Sequence, residues 1–463
     1  MESHQEAATG TKSVERSDDS DSKERRRPSI DWFRLRKQLV TAIGGQRHLR
    51  PRTRFAISLL LFLISFSIRS IQAVDLQPLM YTPDEPARGM SEQYDHEAAT
   101  IDAGRGIPRP GAWDPSDTSL LTHAPGYPMF LAAIYGISRR SYFYVQLFQN
   151  VLTSLGAVIL FLLAGDLISW PVGIVAGLIA AGSHHFSYYS NLVLPDSLCG
   201  LPILIAIYLL VKARRSRRPM LLYGLSGLMI GLSTWLRPNA LMMGPFIFVI
   251  MVAAANHRKK EVKCAWALAV VPLLAIMPIT IRNYLIFHKV VLISSNTGIV
   301  MLEGVANGSQ GRFGPLPSDD KQVGEMESVW YNDPRYALDW SEPDGIQRDR
   351  DRIKRSLAII VRHPIWFVGS MAGRMRDMLS YVADADLILR KPPQPVAAVS
   401  ADPPQQGWSA FRPRRAKEPG SMTDQATIDF CLAFGRRMGW ARLGLRALQR
   451  LTKETDELFM FLG

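Results

Sequence analysis

The side chains best suited to chemistry in this sequence are carboxylates and arginines that gather beside long apolar runs. Residues 74–125 hold nine acids against three arginines, among them Asp84, Glu85, Glu92, Asp95, Glu97 and Asp102, and His123 comes near the end of the stretch. Asp196 follows a short apolar segment, and Arg237 and Arg282 stand where two others end. A carboxylate can take the proton of an attacking hydroxyl. An arginine stays charged and can grip a phosphate with two donors. An enzyme acting at one face of a membrane needs such groups concentrated there, whereas a simple structural bundle has no reason to keep them. Cysteine offers no rival chemistry: Cys199, Cys264 and Cys431 show no CxxC and no metal-ligand spacing, so neither a disulfide framework nor a cysteine metal site is expected.

The elements that must position these residues read as a membrane scaffold. Residues 1–54 are almost wholly polar, residues 55–286 carry long apolar runs, and residues 287–463 return to mixed composition. The net charge of +13 is concentrated in short clusters beside apolar runs rather than on one domain, a pattern of membrane topology and not of nucleic-acid binding. Residues 55–73 are long enough to cross the hydrocarbon. Eleven basic residues against two acidic ones precede them between Lys23 and Arg54, which predicts a cytoplasmic N-terminus. No cleavable leader is visible, and this first run is expected to stay as an anchor.

Seven further apolar segments follow near residues 126–138, 144–163, 168–182, 201–211, 221–235, 240–255 and 265–281. The basic clusters Arg139-Arg140, 212–218 and 258–263 are read as cytoplasmic turns. Parity between Arg139 and Lys212 then asks for a fourth, short crossing at residues 186–194, which places Asp196 near the outer face. The expected fold is an all-α polytopic membrane protein with about nine crossings, one of them short, and two large outer loops at 74–125 and 287–360. Residues 361–390 hold Arg374, Arg376 and Asp377, each costing about 2.5–3.5 kcal/mol at a helix centre, and are expected to form an interfacial helix. A disordered tail (1–54) and a Pro-rich linker with an amphipathic C-terminal helix (391–463) complete the chain.

Five stretches, in order, resemble the integral-membrane glycosyltransferases that use polyprenyl-phosphate sugars, the GT-C type that includes protein O-mannosyltransferases and lipid A aminoarabinose transferases. They are GMSEQYDHEAATIDAGRGI, HAPGYPMFLAAIYGI, VLPDSL, GLSTWLRPNAL and IRNYLIFHKVVLISSNTGIVMLEGVANG, and they cover roughly residues 55–310. The resemblance implies transfer of a sugar to an envelope glycan, lipid or protein in the inner (plasma) membrane. It implies catalytic roles for Asp84, Glu85, Glu92 and Asp196, with the first-loop acids as base and Asp196 orienting acceptor or sugar. It assigns Arg237 and Arg282 to the lipid phosphate, and His123, Tyr94 and Asn283 to substrate binding. No cofactor and no metal are expected, because arginines alone can neutralise a monophosphate leaving group.

The sequence departs from that family in three places. Gly89-Met90 stands where bacterial members usually have an acid after the glycine, so either Glu92 or the pair Asp84-Glu85 is the equivalent of the family's base. His123 stands where an arginine is common, and no further spanning segments are readable after the second outer loop. Those departures motivate a rival reading, an inactive assembly partner with the same fold. A transporter is the third, disfavoured because the polar groups collect at one face rather than at the midplane.

Overall fold

The computed structural model describes residues 49–80, 88–104, 121–138, 140–254, 259–340 and 342–379, together with residues 433, 439 and 444. The N-terminal tail as far as residue 48, Asp84 and Glu85, the Pro-rich linker and nearly all of the expected C-terminal helix lie outside the described residues. Fourteen α-helices are found among them. In chain order these are α1 (Pro51–Met80), α2 (Arg88–Asp102), α3 (Gly126–Ser138), α4 (Tyr142–Leu167), α5 (Trp170–Gly182), α6 (His184–Ser190) and α7 (Asp196–Ala213). They continue as α8 (Pro219–Leu236), α9 (Met243–Ala254), α10 (Lys259–Phe287), α11 (Thr297–Ser309), α12 (Asp320–Trp330), α13 (Gly345–Arg362) and α14 (Pro364–Leu379).

Five of these helices, α1, α4, α7, α8 and α10, are long and apolar enough to cross a bilayer, and α5 and the region Pro238–Ala253 are shorter apolar helices. The protein is therefore an all-α, polytopic membrane protein, as the apolar runs predict. Small residues let the helices approach closely, as expected where packing rather than the hydrophobic effect drives association. On α5, a Cβ at Gly173 would lie 2.6 Å from the Phe161 carbonyl oxygen of α4. On α8, a Cβ at Gly227 would lie 2.8 Å from the Ala267 carbonyl oxygen of α10.

The structure corrects the reading of α3 and of the arginines that follow it. Thirteen residues rise only about 20 Å, too short for about 30 Å of hydrocarbon. Helix α3 instead lies along α2, and the hydroxyls of Tyr135 and Tyr142 both donate to Asp95 of α2. Arg140 is 3.9 Å from Asp102 at the end of α2. Arg140 thus belongs to the same end of the bundle as α2, while Arg139 lies outside the described residues. Lys212 is at the other end, 2.7 Å from Asp166 near the far end of α4. One passage of α4 separates the two clusters, so the parity argument for a fourth crossing falls. The short helix exists as α6, but it finishes the passage begun by α5: Ser183 takes an extended ψ of 126°, and its hydroxyl oxygen accepts the Phe186 amide at 3.5 Å. With α5 and α6 as one passage, five long and two short helices give seven candidate crossings among the described residues, not nine.

The stretch 287–360, read as a polar loop, is folded as α11, α12 and α13. Glu327 of α12, 1% exposed, accepts from Arg348 Nε at 2.7 Å and from Arg352 Nε and Nη2 at 2.6 Å each. Residues 348 and 352 are one turn apart, so α13 presents both to the same partner. Carbonyls of Glu342 and Tyr336 accept from Arg348, and that of Trp340 from Arg352. This subdomain is tied to the membrane core where Ile346 packs with Leu121, Ile286 and Phe287, and where the Ser295 amide donates to the Leu121 carbonyl at 2.7 Å. Helix α14 covers the expected interfacial segment as far as Leu379, with Ile365, Val368 and Met375 exposed.

Candidate active site

Four segments bring functional side chains to one end of the bundle. On α2, Tyr94 and Glu97 are three residues apart and so share a face, and both are buried. Asp95 points the other way, into its tyrosine clamp. His123 precedes α3 in the turn HAPG, whose backbone neighbour Leu121 is held by Ser295. Asp196 is the first residue of α7. Arg237 ends α8 because it precedes Pro238, which disfavours helical backbone for the residue before it. Its φ of −141° and ψ of 119° are extended.

Two pairs of an acid with a basic side chain result. The first joins His123 to Glu97, with Nδ1 2.7 Å from Oε1 and only 8% and 5% of the two side chains exposed. The second joins Arg237 Nη2 to Asp196 Oδ2, both about one third exposed. Tyr94 lies between the pairs. Its ring is 4.4 Å from the imidazole of His123 and meets Tyr127 edge-on at 5.0 Å. Burial pushes the Tyr94 hydroxyl well above its ordinary range, with Glu97 and Asp196 adding to the effect and Arg237 opposing it, so Tyr94 stays a donor. Burial pulls the Arg237 guanidinium down, but its hydrogen bond and charge attraction to Asp196 outweigh that, and the net shift is upward.

Arg282 of α10 interacts electrostatically with Glu97, and its Nη1 donates to Asn283 Oδ1 at 2.8 Å. Asn283 is wholly buried and its Nδ2 donates to the Val291 and Ile293 carbonyls at 3.1 Å each. It therefore reaches the site through Arg282 and the returning chain rather than by facing open space. Glu92 lies more than a turn before Glu97 on α2, half-buried and engaged in an interaction of its own. Tyr94, His123, Asp196, Arg237 and Arg282 are thus brought together, with Glu97 as a member that had been given no role. The signal for Glu97 is its spacing from Tyr94 on one helical face. Among the described residues, no group of three His, Cys, Asp or Glu side chains could hold a metal ion.

A buried polar spine supports the turn before Asp196. Gln149 Nε2 donates to the Ser190 and Leu192 carbonyls at 2.8 and 2.9 Å, and its Oε1 accepts from the Tyr127 hydroxyl at 2.7 Å. Gln146 donates to the Asn191 carbonyl at 2.7 Å, and Asn191 Nδ2 to the Arg69 carbonyl at 3.1 Å. The sequence did carry this signal: Gln146, Gln149 and Asn150 recur at i, i+3 and i+4 within an apolar run. Beside the site an apolar groove of about 260 Å³ runs between α3, α4, α7 and α8, lined by Gly126, Phe130, Leu152, Leu198, Pro202 and Trp235.

Residues 122–281, about a third of the chain, match the family described as dolichyl-phosphate-mannose-protein mannosyltransferase. This core is of the GT-C glycosyltransferase type. No curated protein and no solved structure matches the chain. The GT-C segment holds His123, Asp196 and Arg237 and stops one residue before Arg282. Tyr94 and Glu97 precede it, so their membership of the site rests on geometry alone.

Proposed function

We propose that this GT-C protein moves a sugar from a polyprenyl-phosphate donor to a hydroxyl of an envelope glycan, lipid or protein, on the extracytoplasmic face of the plasma membrane. The observation that supports this most directly is the meeting of two pairs of an acid with a basic side chain, and of Arg282, with an apolar groove at one end of the helices. A lipid-phosphate donor has both characters, a long apolar tail and an anionic head. The groove suits the isoprenoid chain, and Arg237 and Arg282 suit the phosphate.

In this reading the sugar's anomeric C–O bond breaks with its electron pair going to the phosphate, while an acceptor hydroxyl attacks the carbon. A first-loop carboxylate, Asp84, Glu85 or Glu92, takes the hydroxyl proton. Asp196 orients acceptor or sugar and holds Arg237 in place, and Tyr94 and His123 line the substrate. Arg237 and Arg282 meet the charge that the phosphate already carries in the donor, and no metal is assigned a role. The basic residues ahead of α1 support a cytoplasmic N-terminus, and with an odd number of crossings the second loop is then outside in this reading.

The test is sugar transfer in membranes from a labelled polyprenyl-phosphate sugar, with Asp84→Asn, Glu85→Gln, Glu92→Gln and Asp196→Asn made singly. Transfer by the wild type that at least one variant abolishes is the expected result. A wild type that transfers nothing refutes the function. Four variants all as active as wild type refute these acids as the base.

A further inference from the structure

We infer that the His123–Glu97 pair is a proton-donating dyad for the departing lipid phosphate, an assignment that rests on the glycosyl-transfer reading above. The argument starts from charge. A sugar linked through a phosphodiester carries one negative charge on its phosphate, and breaking the sugar C–O bond leaves a monoester that gains a second. The cations that meet it are already balanced in part: Arg237 is bound to Asp196, and Arg282 interacts with Glu97. A further positive group that appears when needed would stabilise the new charge, and a proton is the simplest.

His123 has the geometry for that task. Glu97 holds Nδ1 at 2.7 Å, which fixes the ring, so that in its doubly protonated form the transferable proton sits on Nε2. Nε2 has no hydrogen-bond partner among the described residues, and it is not among the buried side-chain atoms left unsatisfied. Tyr94 packs against the ring at 4.4 Å and so limits its rotation. The charged and titratable groups around the ring are Glu97 and Tyr94 on α2, Arg282 on α10 and, beyond Tyr94, the Asp196–Arg237 pair and Cys199.

The step balances as follows. The anomeric C–O bond breaks and its electron pair goes to the phosphate oxygen, while the proton on His123 Nε2 passes to the phosphate. The acceptor oxygen bonds to the anomeric carbon, and its proton goes to the first-loop carboxylate. Imidazole and carboxylic acid then exchange that proton with solvent to reset the site.

The experiment measures kcat, donor KM and pH dependence for wild type, His123→Gln, His123→Arg and Glu97→Gln in membranes, with folded protein in each quantified by thermal melting after detergent extraction. His123→Gln should lower kcat about 10²-fold or more with little change in donor KM, as loss of a general acid does. Wild-type activity should fall on the basic side as the imidazolium loses its proton, and that limb should vanish in His123→Gln. His123→Arg supplies a fixed cation without a transferable proton near neutral pH, so it should restore neither kcat nor the limb. Glu97→Gln should move the limb to lower pH, because the imidazolium loses its counter-ion. Should His123→Gln fail to fold, Glu97→Gln decides by the position of its limb, and an unmoved limb overturns the dyad. Recovery of kcat in His123→Arg, or an unimpaired His123→Gln in a protein that transfers sugar, overturns the dyad while leaving the function intact. A wild type without transfer overturns both.

Discussion

Gly126 is the residue whose side chain, by being absent, sets the spacing of the site. It opens α3 three residues after His123 and abuts the backbone of Trp235, two residues before Arg237. A Cβ built on it would overlap the Trp235 carbonyl oxygen and lie 2.7 Å from the carbonyl carbon and 2.9 Å from the Trp235 Cβ. Carbon atoms are comfortable at about 3.5–4.0 Å, and backbone cannot rotate aside as a side chain can. Gly126→Ala therefore forces α3 and α8 apart by about 1 Å. Overpacking of this kind costs about 1–3 kcal/mol, and a displacement of about 1 Å at a reacting centre can cost about 10²-fold in rate. Gly136, on the same helix, has nothing within 4 Å of a built Cβ. There alanine should keep the rate and, by helix propensity, add about 0.5–1 kcal/mol of stability. The assay is sugar transfer in membranes per unit of folded protein, with melting temperature in detergent measured alongside. A fall of about 10²-fold for Gly126→Ala with Gly136→Ala unchanged is expected. Wild-type rate in Gly126→Ala, or an equal loss in both, refutes the idea that this contact sets the spacing.

Three other outcomes follow from the structure. Glu327→Gln leaves Arg348 and Arg352 buried without their counter-charge, a change that costs about 3–5 kcal/mol, so protease should cut readily within residues 297–362, and unaltered resistance there argues against the ion cluster as the anchor. Burial, with Asp320 next in importance, raises the Glu303 carboxyl to about 7. A raised folded value means stability that is present below the ordinary carboxylate range and lost as pH rises toward about 7, so Glu303→Gln should stabilise at pH ~8 by up to about 1 kcal/mol after solvent screening and do nothing at pH ~4; melting curves that differ equally at both pH values sink this. In a background lacking Cys199, Cys264 and Cys431, Arg140→Cys and Arg312→Cys should react with an impermeant reagent from one side and Arg215→Cys from the other, whereas Arg140→Cys reacting with Arg215→Cys would restore α3 as a crossing.

How much of this was legible in the sequence depended on whether the deciding contact was local. Arg237 was readable because the following proline ends a helix wherever it occurs. Asp196 was placed by a parity argument that does not hold, and its meeting with Arg237 at the start of α7 is visible only in the fold. Helix α3 was misread because its composition is as apolar as that of a crossing helix. What keeps it on one side is the pairing of Tyr135 and Tyr142 with Asp95, forty and forty-seven residues away. The same holds for Glu97, one acid among nine until α2 turns it toward His123, and for the second loop, whose core is a glutamate between two arginines. A polar composition gives no hint of such a core, because hydropathy counts those residues as solvated.

Arg69 has a consequence for how the chain is made. It lies in the middle of α1, 2% exposed, and its guanidinium donates to the carbonyls of Ala180 and Ala181 at the end of α5, at 3.2 and 3.4 Å. Those acceptors are translated 111 and 112 residues later, which at about 5–20 residues per second is a delay of roughly 6–22 s. Until then Ser65, one turn earlier, is the partner that α1 itself provides. The guanidinium of the first helix is therefore fully matched only once α5 has been made, and a truncation that ends before residue 180 should lower the yield of inserted α1.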